Sequence, residues 1–381
     1  MDRDAQREMV GRIIDMHARH TTTLADATME IPAANYASAT RHALESSTVF
    51  RSQPVVACMS VDVREPGDVI TLESGGIPVV VARGTDGDVH AYVNACRHRG
   101  TAVARDRGHV ARSFSCPFHG WVYDIDDGHL VAQPRSCDGF DGLDPATLGL
   151  RPLVVAERHG LVVVRPSGDQ PVDVDEWLCG LGAELDAREF SSLIPYHRAS
   201  TTWACNWKLL LDTFLESYHV FALHRESLGP FYIGVASPFD AFGTHNRIVV
   251  PQSSVLDQAD RPRDEWELLP YAVLQYYLAP NVIISNLYGY VLTWRFVADA
   301  VDRTTVELSM YTYESVESET RRKHFDERYE AARSVTSDED FPESERIHRN
   351  LASGVVEHTN AGRNEPGIIH FHRMLDAQLA H

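Results

Sequence analysis

Apolar residues recur at helical spacing near the start of the chain, at Met9, Val10, Ile13 and Ile14 and again at Tyr36, Ala43 and Leu44. Residues 1–50 therefore read as a largely helical arm. From about Val55 the period changes. Short β-rich runs (PVVVARG, VHAYVN, WVYDI, LVA) alternate with Gly and Asp turns. Asp86-Gly87 and Asp127-Gly128 predict tight hairpins, because glycine accepts the positive φ such turns need. The stretch Arg165-Pro166-Ser167-Gly168-Asp169 reads as a linker and closes a small all-β domain at 51–168. In the remainder, 169–381, helices are predicted from Asp175 to Phe190, Trp207 to His219, Ser318 to Val335 and Glu343 to Ser353. Between them, 247–313 carries strands such as VLQYYLAP, NVIISNLYGYVLTWRFVA and TTVELSMYTYE. The expected class is α+β: a helical arm, a small β domain, and a larger domain of helices with an antiparallel sheet.

Bulk properties narrow the function. With 44% hydrophobic and 23% charged residues over 381 positions, the chain can bury a large core in two or more domains. The net charge of -19 argues against a nucleic-acid binder, since phosphate contacts need clustered Lys and Arg. The start, MDRDAQREMVGRIIDMHARH, is charged throughout, and the longest apolar region is broken by Pro280, Asn281 and Asn286. Neither a signal peptide nor a membrane span is expected. Six scattered cysteines do not suggest a disulfide framework, which fits a reducing, cytoplasmic setting.

Two of those cysteines are different. Cys96-Arg97-His98 and Cys116-Pro117-Phe118-His119 form C-x-H and C-x-x-H halves, each following a predicted strand, with 17 residues between His98 and Cys116. Two thiolates and two imidazoles can hold a tetrahedral zinc, or a [2Fe–2S] cluster with cysteines on one iron and histidines on the other. The surroundings favour the cluster: Gly100 and Gly120 follow the ligand turns, where backbone must come close, and Arg97 and Arg99 offset thiolate charge. The segments NACRHRG and SCPFHGW resemble the two signature loops of the Rieske family. Cys58, Cys137, Cys179 and Cys205 lack comparable spacing and are expected to be small buried hydrophobes.

A second constellation lies in NWKLLLDTFLESYHVFALHRESLGP. His219 and His224 are five apart, about 140° around an undistorted helix, so joint ligation requires the helix to end or unwind between them. Gly229-Pro230 marks a helix exit soon after. Alone, such a pair carries little weight. In its context the segment resembles the iron motif of Rieske non-haem iron oxygenases, and that resemblance runs over most of the chain. It implies a 2-His-1-carboxylate Fe(II) site at His219 and His224 with open positions for dioxygen. SDEDFPESERIHRNLASG resembles the family element that supplies the carboxylate, which selects Asp340, with Asp338 and Glu339 as alternatives; His348 departs from the usual glutamine. Glu216 stands where the family carries an acid linking the two metal sites across subunits, and glutamate there resembles the branch acting on choline and carnitine. Asn206, Trp207 and Lys208 match the motif as well, Asn206 as a residue supporting the site and Trp207 as core.

The resemblance implies a terminal oxygenase, a homotrimer or a trimer of αβ units. It would use O2 and electrons to hydroxylate, dihydroxylate or demethylate a small, aromatic substrate; a quaternary-ammonium substrate is the alternative. No dinucleotide fingerprint or plant-type ferredoxin motif is present, so NAD(P)H would act through a separate reductase or ferredoxin. A Rieske electron carrier and a zinc-stabilised binding protein are the rival classes. Phe231, Tyr232, Tyr276, Tyr277, Tyr288, Tyr290 and Trp294 are candidates for an apolar pocket lining, for a cation cage or, more simply, for core.

Overall fold

A computed structural model describes residues 1–135 and 139–380. The chain opens with α1 (Arg3–Ala18), whose apolar stripe Met9, Val10 and Ile13 is buried and whose first turn is capped by the Asp2 carboxylate accepting from the Ala5 N–H. Strand β1 (Met29–Pro32) and the short helices α2 (Ala34–Ala37) and α3 (Ala39–Glu45) follow. These first 45 residues belong to the larger of two compact units, with 178–188 and 193–381; the smaller comprises 46–177 and 189–192.

The smaller unit is all β apart from short helical turns. Strands β2 (Val55–Met59), β3 (Asp68–Ser74), β4 (Ile77–Arg83), β5 (Val89–Val93) and β6 (Arg107–His109) precede β7 (Ser113–Ser115), β8 (Val122–Asp124), β9 (Leu130–Ala132), β10 (Val154–Arg158) and β11 (Leu161–Arg165). They form a four-stranded sheet in the order β5-β4-β3-β6 and two three-stranded sheets, β10-β11-β2 and β7-β8-β9. Gly87 (φ 89°) turns β4 into β5, and Gly128 (φ 73°) turns β8 into β9. Phe114, Trp121, Tyr123 and Tyr92 are buried together with Cys96 and Cys116, so the cysteine loops stand on a rigid aromatic core. Helix α4 (Val174–Trp177) closes its main segment.

In the larger unit α5 (Gly182–Asp186), β12 (Ile194–Trp203) and α6 (Trp207–Asp212) precede strands β13 (Phe239–Phe242), β14 (His245–Pro251), β15 (Ala272–Leu278), β16 (Val282–Leu287), β17 (Tyr290–Ala300) and β18 (Arg303–Thr312). One antiparallel sheet results, ordered β12-β18-β17-β16-β15-β14-β13. The run predicted as one strand from Asn281 splits at Tyr288-Gly289, where Gly289 adopts φ 90° and Leu287 pairs with Tyr290. Helices α7 (Glu319–Ser334) and α8 (Phe341–Ala352) follow, then β19 (His358–Ala361), which pairs with β1, and α9 (Pro366–Leu379).

Three helix expectations change. The stretch from Asp175 to Phe190 holds only α4 and α5, because Gly180 interrupts it at φ 91°. The helix from Trp207 stops at Asp212, seven residues short of His219. Helix α9 was not expected; its Gly367 packs so near the Leu215 carbonyl that a Cβ would sit 2.2 Å from it. Helix α6 is anchored by Lys208, whose ammonium lies 2.7 Å from both Glu45 oxygens, while the Trp207 indole N–H donates to the same carboxylate at 3.0 Å. Both members of that ion pair are wholly buried. Among the described residues, no helix is long and apolar enough to cross a membrane.

Candidate metal centres

In the smaller unit the two cysteine loops are built alike. The Gly100 N–H donates to the Cys96 carbonyl (2.8 Å) and the Gly120 N–H to the Cys116 carbonyl (3.0 Å), with φ of 77° and 72° at the two glycines. The Cys96 N–H is returned to Thr101 and the Cys116 N–H to Trp121, both at 2.8 Å. C-R-H-R-G and C-P-F-H-G are thus the same five-residue loop, and the positive φ is what requires glycine in each. Both thiols are buried at 3% exposure, whereas the imidazoles lie toward solvent. His98 and His119 bring their Nδ1 atoms to 3.1 Å, the separation of two imidazoles sharing one ion at bonds of about 2.1 Å. His98 stacks on Trp121 at an interplanar angle of 9°.

Tyr123, which sequence reasoning passed over, completes this site. Its hydroxyl lies 3.1 Å from the Cys96 sulfur and accepts the Arg97 N–H at 2.9 Å, leaving its own proton for the sulfur. A hydrogen bond to a ligand sulfur raises a cluster's reduction potential. The only advance signal was an aromatic residue two positions after Trp121. Buried thiols paired with outward imidazoles suit a cluster with one sulfur-ligated and one nitrogen-ligated iron.

In the larger unit, His219, His224 and Asp340 bring one ligand atom each within 4.8 Å of one another. The His224 Nε2 is 3.0 Å, and the His219 Nε2 3.6 Å, from the Asp340 Oδ1. That buried carboxylate oxygen has no hydrogen-bond partner, as expected of an atom reserved for an ion. The two histidines converge because α6 ends early and His219 sits in a single short turn, Tyr218–Phe221, with His224 just beyond it.

Asp340 arrives through a second irregularity. Between α7 and α8 the chain makes a π-turn from Val335 to Asp340, with the Phe341 N–H reaching back five residues to Thr336. Pro342 cannot donate the next helical hydrogen bond, and π-bulges of this kind concentrate at functional sites. Three consecutive acids then take three roles. Asp338 is exposed, Asp340 faces both histidines, and Glu339 accepts from the His224 Nδ1–H and the Ser227 hydroxyl, each at 2.9 Å. Glu216 accepts from the His219 Nδ1–H and from the backbone N–H groups of Tyr218 and His219. Each histidine therefore has Nδ1 tied to a carboxylate and Nε2 turned to the centre, the arrangement that fixes metal-binding tautomers. Burial opposes protonation of both rings, but for His219 Glu216 and Asp340, and for His224 Asp340 and Glu339, outweigh it and raise their pKa values. The donor set of two neutral nitrogens and one carboxylate fits a non-haem Fe(II) site.

A cavity of about 230 Å³ opens on this centre and is lined by Glu216, His219, His224 and Asp340 at one end. Its walls include Phe214, Tyr232, Tyr290 and Trp294. Of the aromatic candidates, Tyr232, Tyr290 and Trp294 line it. Tyr276 and Tyr277 are core residues bonded to Glu184 and the Pro280 carbonyl, and Phe231 and Tyr288 are exposed. Asn206 is at neither place. Its side chain caps α6 by accepting the Lys208 N–H at 3.2 Å and donates to the Val301 carbonyl at 2.9 Å, so it supports the helix rather than the chemistry. Trp207 and His348 are likewise buried away from the cavity. Cys58 and Cys205 are buried as expected, Cys179 is exposed, and Cys137 lies outside the described residues.

Comparison with known proteins finds two matching domains. Residues 53–140 match the Rieske [2Fe-2S] domain, and residues 190–381 the ring hydroxylating alpha subunit (catalytic domain). Chloroplastic choline monooxygenase of Beta vulgaris is 27% identical over 346 residues, 88% of this chain and 74% of that one. The glycine betaine monooxygenase oxygenase subunit of Chromohalobacter salexigens is 31% identical over 187 residues, 49% of this chain and 41% of that one. The structure of a quaternary ammonium Rieske monooxygenase superposes with a TM-score of 0.80 at 21% identity, covering 97% of this chain and 98% of that one, which shows a shared fold. The catalytic-domain match alone takes in half of the sequence, and the chain belongs to the ring-hydroxylating alpha subunits, the Rieske non-haem iron oxygenases, oxidoreductases that carry a [2Fe–2S] cluster and a mononuclear iron.

Proposed function

We propose that this chain is the terminal oxygenase that inserts one oxygen atom into a C–H bond of a small quaternary ammonium compound. The balance is C–H + O2 + 2 electrons + 2 protons giving C–OH + H2O. The carrying observation is the cavity itself: four aromatic side chains wall a space of about 230 Å³ that opens on His219, His224 and Asp340. That volume is below the ~300–1,000 Å³ of sites for drug-sized ligands, so it suits a small substrate better than a fused aromatic one. Aromatic faces attract a quaternary ammonium, which offers no hydrogen bond of its own. Most neutral polar groups of the lining are already committed: Ser285 to Gln275, Thr213 to the Leu210 carbonyl, Thr336 to the Ala332 carbonyl, and Ser217 to Ser237. Glutamate at position 216 and the names of the relatives support the same reading over the aromatic one.

When bound, the cluster supplies electrons singly and Fe(II) supplies the place where dioxygen is activated. In this proposal Cys96, His98, Cys116 and His119 hold the cluster, and His219, His224 and Asp340 hold the iron. Tyr123 holds its hydroxyl proton toward Cys96, Glu216 and Glu339 fix the two iron histidines, and the aromatic walls exclude water and orient the substrate. Glu216 also faces a second recess, lined by Asp212, Glu343 and Ile347, and so has access to an imidazole of a neighbouring subunit in a ring of three. Electrons come from NAD(P)H through a separate reductase or ferredoxin.

The test is single turnover. Enzyme with both iron sites loaded is reduced anaerobically and exposed to O2 with a panel of quaternary ammonium compounds and simple arenes, and products are read by mass spectrometry with ¹⁸O2. One labelled oxygen in an ammonium-derived product is expected. Oxidation of arenes alone would overturn the substrate assignment.

A further inference from the structure

Quaternary ammonium compounds divide into plain cations, such as choline, and zwitterions that also carry a carboxylate. The cavity distinguishes them. One wall is a face of α7 and the π-turn after it, where Arg328, Ala331, Ala332 and Val335 follow at helical spacing. Small alanines in the middle leave room, and the two ends differ in charge. Arg328 occupies the end away from Asp340; about 10 Å of helical rise separates it from Val335, beyond which the π-turn leads to Asp340.

Arg328, on the exposed side of α7, has no hydrogen-bond or ion-pair partner among the described residues, whereas Arg247 and Arg295, buried in the seven-stranded sheet, are both paired with carboxylates. Two more donors of the lining are unspent. The Tyr290 hydroxyl has no partner among the described residues, and the Trp294 indole N–H is buried without one. The Arg328 charge reaches the phenols of Tyr232 and Tyr290, where it opposes the rise in pKa that burial produces. Only Glu216 and Asp340 are acidic in the lining, and both stand at the iron end.

Building on the reading of the cavity as a quaternary-ammonium site, we propose that Arg328 is a specificity-determining residue that binds a carboxylate at the end of the substrate remote from the iron, so that the substrate is a zwitterionic trimethylammonium carboxylate rather than a choline-like cation. A guanidinium offers a forked pair of N–H donors that matches a carboxylate. A plain cation meets an uncompensated positive charge there. The distance along α7 also favours a substrate whose ammonium and carboxylate are separated by several carbons.

The experiment compares kcat/KM for trimethylammonium carboxylates of increasing chain length with that for choline, in the iron-loaded enzyme and in Arg328→Ala and Arg328→Glu; calorimetry gives binding independently of turnover. Arg328 is exposed on a helix, so both variants fold, which the Rieske absorption verifies. Wild type should prefer a carboxylate. Arg328→Ala should lower the carboxylate-to-choline ratio about 10- to 100-fold, the worth of a hydrogen bond between charged groups. Arg328→Glu should reverse the preference. A wild type that prefers choline, or a ratio unmoved in both variants, overturns the proposal. Binding and oxidation of benzoate but of no ammonium compound, dependent on Arg328, would keep the carboxylate contact and overturn the quaternary-ammonium reading instead.

Discussion

Replacing Glu339 tests whether the residue beside Asp340, the proposed iron carboxylate, works through a histidine. Its carboxylate accepts from the His224 Nδ1–H at 2.9 Å; His224 is 2% exposed and Glu339 28%, so removing the acceptor leaves that N–H either unpaired or bonded to a water that does not fix the ring as the carboxylate does. Leaving a buried donor unsatisfied costs about 1–3 kcal/mol, and part of that loss appears as weaker binding at the other ring nitrogen. Loss of such a supporting contact typically weakens metal affinity 10- to 100-fold. Glu339→Ala should therefore raise the Fe(II) dissociation constant by about that factor, measured by competition with a calibrated chelator, with the Rieske absorption unchanged. Glu339→Gln retains an acceptor oxygen and should fall between. Asp338→Ala, one residue away and exposed, serves as the control and should bind iron like wild type. Equal affinities in Glu339→Ala and wild type would refute the argument that this carboxylate orients His224.

Asp340→Ala should abolish turnover and iron retention while leaving about two inorganic sulfides per chain, because the facial ligand set is incomplete; full activity would show that another acid ligates. His98→Ala or Cys116→Ala should remove the cluster and its low-average-g EPR signal, and zinc without sulfide in the wild type would rule out the cluster. Glu216→Ala should keep both metals yet slow oxidation of the reduced cluster by orders of magnitude in single turnover; a wild-type rate would make it a surface acid. In iron-free protein, His219 and His224 have pKa values raised above 6.5. The stability they contribute is full below pH ~6.5 and is lost as pH rises through the raised values. Thermal melts against the double alanine variant should show that loss, and Fe(II) affinity should climb over the same range as those protons leave. Glu45→Ala should cost about 3–5 kcal/mol in denaturant unfolding by stranding the Lys208 ammonium, and a loss under 1 kcal/mol would mean that water reaches it.

Features encoded at short range could be read from the order of residues alone. Each half of the proposed cluster site lies within five residues, so spacing and the two glycines suggest it without any fold. The hairpins at Gly87 and Gly128 were legible for the same reason, as was the need for the chain to break its helix before His224. Tertiary structure decided the rest. The two loops meet because β5 and β7 deliver them over one aromatic core, and Tyr123 reaches Cys96 only from the neighbouring hairpin strand. Which of Asp338, Glu339 and Asp340 turns inward depends on a π-turn that no periodicity announces, since one extra residue per turn rotates every following side chain. Asn206 matched a motif, but its role is to cap α6, a role shared by many helix starts. Whether an aromatic strand residue packs as core or faces a cavity was undecidable from alternation, because both faces of the central sheet are covered. The backbone around the iron centre separated Tyr290 and Trp294 from Tyr276 and Tyr277, and placed the unpaired Arg328 among them.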